Sequence, residues 1–355
     1  MKIKLLKIRE LLSLFLASCS SDDNSGSSYQ SGNYEEGVFI VNEGGTSLST
    51  ASVSFLPENG QLEHDIFRTV NPNADEIGTY LQSMFFDDTR AFIISGGANA
   101  ITVVNRYTFE YITTISTGLN NPRYGVTENG KAYVVNQSGW ETGADDFVAV
   151  IDLNTYAVSS IPLGIASDRI IEVNDKIYVS NGYYGDGNSI TVINPVTDTI
   201  EAVIDLGDGN SPNSLDEEDG FLYVLTTNNP EYKIQKISLS NHQVVGERLL
   251  SPFMPDAKNL IIEDDIIYYT NVNSVYAVNI VNFENENIGD EHILTYEASS
   301  EWSAMYGFAV EDGKVYIADA GDFASDGKVY VYSTTGNLLN TYTVGIAPNG
   351  FYFND

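Results

Sequence analysis

Residues 313–332 read GKVYIADAGDFASDGKVYVY, in which Gly-Lys-Val-Tyr is written twice, fourteen residues apart, ending at Tyr316 and Tyr330. Each copy puts a glycine turn ahead of alternating β-branched and aromatic residues, the pattern of a strand entered through a tight bend. The unit built around the first copy recurs along the chain. An aromatic flanked by β-branched or aliphatic residues appears in Val38-Phe39-Ile40, Ala91-Phe92-Ile93, Ala132-Tyr133-Val134, Ile177-Tyr178-Val179, Leu222-Tyr223-Val224, Ile267-Tyr268-Tyr269 and Val315-Tyr316-Ile317. The seven aromatics are 53, 41, 45, 45, 45 and 48 residues apart. A period near 45 is the length of one four-stranded propeller blade.

Each unit has the same internal order. An apolar strand leads to an acidic or glycine turn, such as Glu128-Asn129-Gly130, Glu218-Asp219-Gly220 or Glu311-Asp312-Gly313, and then to the aromatic strand. Asn-Gly and Asp-Gly supply the positive φ that a two-residue hairpin needs. A third strand alternates with period two, as in Phe147–Ile151, and a fourth ends near glycine or proline. Seven such units predict an all-β, seven-bladed propeller. The first unit lacks a strand before its aromatic one, and residues 346–353 (IAPNGFYF) form a leading strand with no unit after it. The two fragments complete one blade, and closing the ring in this way removes exposed sheet edges.

The propeller is predicted to span residues 37–355. Ahead of it, Lys2, Lys4, Lys7 and Arg9 precede an apolar run and then Leu16-Ala17-Ser18-Cys19. This reads as a signal peptide over 1–18 ending in a lipobox, with Cys19, the one cysteine of the chain, as the lipid attachment site. Residues 19–36 read as the lipidated cysteine and a polar, flexible tether. A Ser/Asp-rich stretch directly after such a cysteine resembles the surface-export signals of some Gram-negative lipoproteins, which implies an outer-membrane protein facing the cell exterior. The formal net charge of −32 opposes binding to nucleic acid, because phosphate backbones are repelled.

With strands lettered A to D outward from the channel, the A–B and C–D turns share one face and the B–C and D–A connections share the other. The second face carries the long loops, 136–146, 181–188 and 319–326. Trp140, Tyr183, Tyr184, Trp302 and Phe323 fall on it and suit a large, partly apolar ligand, unless they pack their own loops. Counting nine or ten positions back from each anchoring aromatic reaches the start of each A strand and gives Gln82, Arg123, Tyr124, Arg169, Asn213, Lys258 and Tyr306. Three of these are basic in a chain with 17 Lys and Arg. Arg123, Arg169 and Lys258 either meet an anionic group of a ligand or pair with acids such as Asp168 and Asp256.

Catalytic constellations are not evident. His64, His242 and His292 fall in the outer parts of three different blades, and no hydrolase, zinc or nucleotide-binding motif occurs. Asp186, Asp322 and Asp326 either hold Ca²⁺ or are solvated loop carboxylates, so no cofactor or metal is assigned.

The motifs Lys131-Ala-Tyr-Val-Val-Asn136 and Lys176-Ile-Tyr-Val-Ser-Asn181 resemble the YVTN, or YncE-like, propellers. Tyr306–Val310, Val315–Ala320, Gly327–Tyr330 and Gly37–Gly44 further resemble the surface lipoprotein propellers that include the BtuG-type cobalamin-binding proteins. That resemblance implies a non-enzymatic surface lipoprotein that binds a corrinoid on the loop-rich face and passes it to a TonB-dependent outer-membrane transporter. The alternatives are a scaffold that binds protein or glycan without a small ligand, and a metal-dependent hydrolase or lactonase on the same fold.

Overall fold

The computed structural model describes residues 32–354 apart from 48–49, 59, 140–142, 183–184, 186, 229–230, 251–253 and 255. The signal peptide, Cys19 and the loop residues Trp140, Tyr183, Tyr184 and Asp186 lie outside the described residues.

Seven antiparallel sheets are present, one per blade. Strands β1 (Gly37–Asn42) and β2 (Ser52–Pro57) belong to blade 1. Blade 2 holds β3 to β6 (Leu81–Phe86, Arg90–Ser95, Ala100–Asn105, Tyr111–Ile115), and blade 3 holds β7 to β10 (Pro122–Glu128, Lys131–Asn136, Phe147–Asp152, Val158–Pro162). Blade 4 holds β11 to β14 (Ser167–Val173, Lys176–Asn181, Ser189–Asn194, Thr199–Asp205), and blade 5 holds β15 to β18 (Ser211–Glu218, Phe221–Asn228, Glu231–Ser238, Gln243–Leu249). Blade 6 holds β19 to β22 (Ala257–Glu263, Ile266–Asn271, Ser274–Asn279, Glu291–Thr295), and blade 7 holds β23 to β26 (Gly307–Glu311, Lys314–Asp319, Asp326–Ser333, Leu338–Ile346). The last strand, β27 (Pro348–Asn354), pairs antiparallel with β1 and so becomes the inner strand of blade 1.

One expectation needs correction. Blade 1 has three strands, in the order β2-β1-β27, where four were expected. Its outer strand is reduced to one bridge, Phe55 to Glu63, after which the chain forms the short helix α1 (Ile66–Val70). The segment His64-Asp65-Ile66-Phe67 cannot alternate as an edge strand because Ile66 and Phe67 are both buried. Packed residues also precede Gly37. Tyr34 is 3% exposed, its amide donates to the Tyr107 carbonyl (3.0 Å), and its ring packs edge-on against Phe55 and Phe109. The chain thus enters on the face of the A–B and C–D turns. Strand β27 finishes on that face, where the Asn354 side-chain amide donates to the Tyr34 carbonyl.

The core is a ring of seven hydrophobic clusters, each filling the gap between two neighbouring blades. The seven aromatics found in the sequence all lean the same way round this ring. Phe39 packs toward blade 2, Phe92 toward blade 3, Tyr133 toward blade 4, and the series continues to Tyr316, which packs toward blade 1. The 45-residue repeat therefore records the spacing of wedges between blades, and burying each ring is worth roughly 1.5–3 kcal/mol. The tyrosine hydroxyls can also reach across the gap: Tyr133 donates to Asp198 Oδ1 (2.6 Å) in the next blade.

Candidate functional site

Six of the seven inner strands break their register at the same level, close to the long-loop face. Gln82 is skipped between Leu81 and Ser83 in β3, Asn213 between Pro212 and Ser214 in β15, and Asn349 between Pro348 and Gly350 in β27. In β7 the pair Arg123 and Tyr124 sits opposite one residue of β8. Asp168 and Arg169 do the same in β11, as do Asn259 and Leu260 in β19. A β-bulge adds a residue the ladder does not use and re-aims its side chain. Here every added polar side chain, with Tyr124, turns into the channel mouth.

These residues, joined by Glu43, Lys258 and Tyr306, line one cavity of ≈ 610 Å³. All seven rim positions counted from the sequence lie in its wall. The repeat spacing found them because it fixes where each inner strand starts. Blade 7 is the exception in mechanism: β23 pairs regularly with β24, and Tyr306 precedes it, its amide donating to the Ala318 carbonyl (3.0 Å). Gly182 keeps the wall open between blades 4 and 5, since a Cβ there would lie 2.4 Å from Pro212 Cδ.

The polar groups form a connected chain. Gln82 Nε2 donates to the Tyr124 hydroxyl (3.0 Å), and the Arg123 guanidinium donates to Gln82 Oε1 and, through Nε, to Asp168 Oδ1 (2.9 Å). Gln137 Nε2 also reaches Asp168 Oδ1, at 3.4 Å. Arg169 lies over the Tyr124 ring, 4.0 Å from its centroid, with Nε 3.4 Å from Asp168 Oδ2. Lys258 Nζ lies 3.1 Å from Asp256 Oδ2. All three rim cations thus have acidic neighbours, and those neighbours are Asp168 and Asp256, but two guanidiniums share the first.

Across the mouth, the Tyr306 hydroxyl donates to the Glu43 carboxylate, and the Tyr306 ring meets Phe323 edge-on (5.1 Å, 85°). Burial raises the Glu43 carboxyl above its ordinary value, while the bond from Tyr306 and the charge of Arg123 pull it back down. Burial and the neighbouring Glu43 push the Tyr306 hydroxyl up. Phe323 remains 39% exposed and Trp302 86% exposed, so Trp302 is not packed into its own connection.

Glu43 and Asn349 are not among the positions that counting back from the seven aromatics reaches. Glu43 follows the first aromatic strand in a loop that is Gly-rich and carries no aromatic, and Asn349 lies in the bulge of the closing strand. Their signal was available, since both occupy the blade 1 counterpart of positions used in other blades. Asp322 behaves as a turn residue. Asp322 accepts from the Ala324 and Ser325 amides (3.0 and 2.7 Å), which lowers its pKa. Among the described residues, the acidic trio whose carboxylates could meet at one ion is Glu218, Asp219 and Asp265, on the opposite face. The three histidines remain apart, with His64 beyond the blade 1 bridge, His242 in a C–D turn and His292 in β22.

The fold is shared with solved propellers at low sequence identity. A Lactobacillus plantarum protein superimposes with a TM-score of 0.65 at 11% identity, covering 90% of this chain and 99% of that one. A quinonprotein alcohol dehydrogenase-like protein of Bacteroides thetaiotaomicron gives 0.60 at 15% identity, with 91% and 79% covered. BamB of Moraxella catarrhalis gives 0.56 at 13% identity, with 90% and 87% covered. At these identities the likeness concerns the fold. No curated protein matches the sequence. The model of one family, described as Domain of unknown function (DUF5074), matches residues 36–310, and the chain belongs to that family.

Proposed function

We propose that this protein is a non-enzymatic ligand-binding propeller, anchored through Cys19 to the outer membrane and facing the cell exterior. It takes a small molecule at the channel mouth and passes it to a TonB-dependent transporter. The sequence resemblance points to a corrinoid such as cobalamin as that ligand. The observation that carries the reading is the convergence of six inner-strand bulges on one polar cavity, a distortion repeated at a single level that the blade ladder itself does not need.

The cavity volume falls within the usual range for small-molecule sites, roughly 300–1,000 Å³. A corrinoid is larger than this space. One end of it would seat among Gln82, Asn213 and Asn259, while the ring lies on the aromatic side formed by Tyr306, Phe323 and Trp302. Titration calorimetry with cobalamin and with cobinamide tests this reading. Saturable binding, weakened at least about tenfold by Trp302→Ala without loss of thermal stability, is expected. No heat with either corrinoid, together with capture of a surface glycan or protein, would replace it with the scaffold reading.

A further inference from the structure

We infer that Arg169 is the oxyanion anchor of the mouth, the residue on which a carboxylate or phosphate group of the ligand docks. This rests on the reading of the mouth as a ligand site and deepens it by naming the chemistry of one end of the ligand.

The three rim cations are not equivalent. Arg123 is committed to Asp168 and Gln82. Lys258 stands beside Asp256, an exposed acid at the edge. Arg169 has neither arrangement. Its guanidinium donates no hydrogen bond among the described residues, and its Nε is buried without a partner although Asp168 Oδ2 is 3.4 Å away. Asp168 takes hydrogen bonds from Arg123 and Gln137 on Oδ1, while its Oδ2 balances the charge of Arg169 from 3.4 Å without a hydrogen bond.

A guanidinium presents five N–H donors in a planar fork that matches carboxylate and phosphate oxygens two at a time. Its Nε, buried without a hydrogen bond, carries a desolvation cost, and the exposed part of the fork is open to a ligand oxyanion. The fork is also held in place. Tyr124 lies under its plane at 4.0 Å, and the Arg169 amide donates to Ser180 Oγ (3.0 Å), which fixes the bulge that carries it. The side chain remains 39% exposed, so a docked group reaches it from the cavity without rearrangement. The anchor is therefore preorganised, and little ordering entropy is lost on binding. Neighbouring Asn213 and Asn259 can bond hydroxyl or amide groups beside the anion.

Two sources of such an oxyanion are distinguishable, a phosphodiester in a nucleotide-bearing ligand and the carboxylate of an acidic sugar. Calorimetry on the full-length protein, its Arg169→Gln variant and its Arg169→Lys variant would use paired probes: cobalamin against cobinamide, which lacks the phosphodiester, and glucuronate against glucose. The wild type is expected to favour the anionic member of one pair by about tenfold or more. Arg169→Gln should erase that preference while leaving affinity for the neutral member unchanged, and Arg169→Lys should restore part of it. Thermal unfolding of both variants should stay close to wild type, because the fork supports no internal hydrogen bond.

Equal losses for both members in Arg169→Gln, or an anion preference that survives the substitution, would overturn the inference. So would a wild type with no preference in either pair. Corrinoid binding with an intact preference in Arg169→Gln removes the anchor and keeps the corrinoid reading. A glucuronate preference that depends on Arg169, with no corrinoid binding, does the reverse.

Discussion

Arg248 is a cation of the opposite kind from Arg169, buried and fully used. Its Nε donates to Asp290 Oδ1 (2.7 Å), and its terminal nitrogens donate to the carbonyls of Asn282 (3.2 Å), Phe283 (3.1 Å) and Ile288 (2.7 Å). The Tyr269 hydroxyl completes the group by donating to Asp290 Oδ2 (2.6 Å). This one side chain holds the long connection between β21 and β22. Arg248→Met should cost about 3–5 kcal/mol, because it leaves Asp290 buried without its counter-charge, and urea unfolding of the two proteins measures it. Nothing in the sequence around Arg248 singles it out, since its partners lie 34 to 42 positions away in a connection without periodicity. Asp216 gives a pH signature. Burial pushes its carboxyl from 3.8 up to about 6, repulsion from Glu217 and Glu218 adds to this, and the Ile262 and Glu217 amides pull the other way. The folded chain therefore holds this proton where the unfolded chain has lost it. The stabilisation is complete below 3.8 and disappears as pH rises through about 6. The urea midpoint should fall with rising pH across that window, and Asp216→Asn should reduce the slope.

At the scale of strands, closure and bulging do different work. Strand β27 completes blade 1 and carries Phe351 into the cluster between blades 7 and 1. A chain ending at Ile346 should leave β1 with an open edge and that cluster unfilled. It is expected to aggregate or elute as oligomers in size-exclusion chromatography, and a monomer of native stability would contradict the closure argument. The closing strand was readable because its alternation matches that of the other inner strands. The reduced outer strand of blade 1 was not, because helix α1 replaces it through the pairing of Ile66 with Phe67, a choice made by burial in the whole blade. The bulges were half legible. Counting back from Tyr133 or Tyr178 lands on Arg123 and Arg169, but the spacing of a sequence carries no mark of an extra residue in a ladder. The pairing of both arginines with Asp168 was one of two alternatives in the sequence, and it is decided when β7 and β11 lie side by side.

For the whole molecule, the dominant long-range force is its own charge. A formal net charge of −32 puts many acids at distances where repulsion opposes compaction. Added monovalent salt screens exposed charges beyond about 10 Å at 0.1 M, so the melting temperature should rise with ionic strength in scanning calorimetry. A falling melting temperature would mean that the ion pairs, such as Lys131 with Asp198, outweigh the repulsion. Against that background the mouth, where Arg123, Arg169 and Lys258 stand among Glu43, Asp168 and Asp256, is close to neutral, so an anion is repelled less there than over the acidic remainder of the surface.

The meeting of Tyr34 with Asn354 has an engineering consequence. The described chain starts and stops beside the same turn face, so the ring has a seam there and its loop-rich opening lies on the far side. A short peptide could weld that seam and new termini could be cut in a hairpin such as Asn129-Gly130, giving circular permutants with the opening untouched. A reporter fused after Asn354 would likewise start behind the disc, on the side away from the opening.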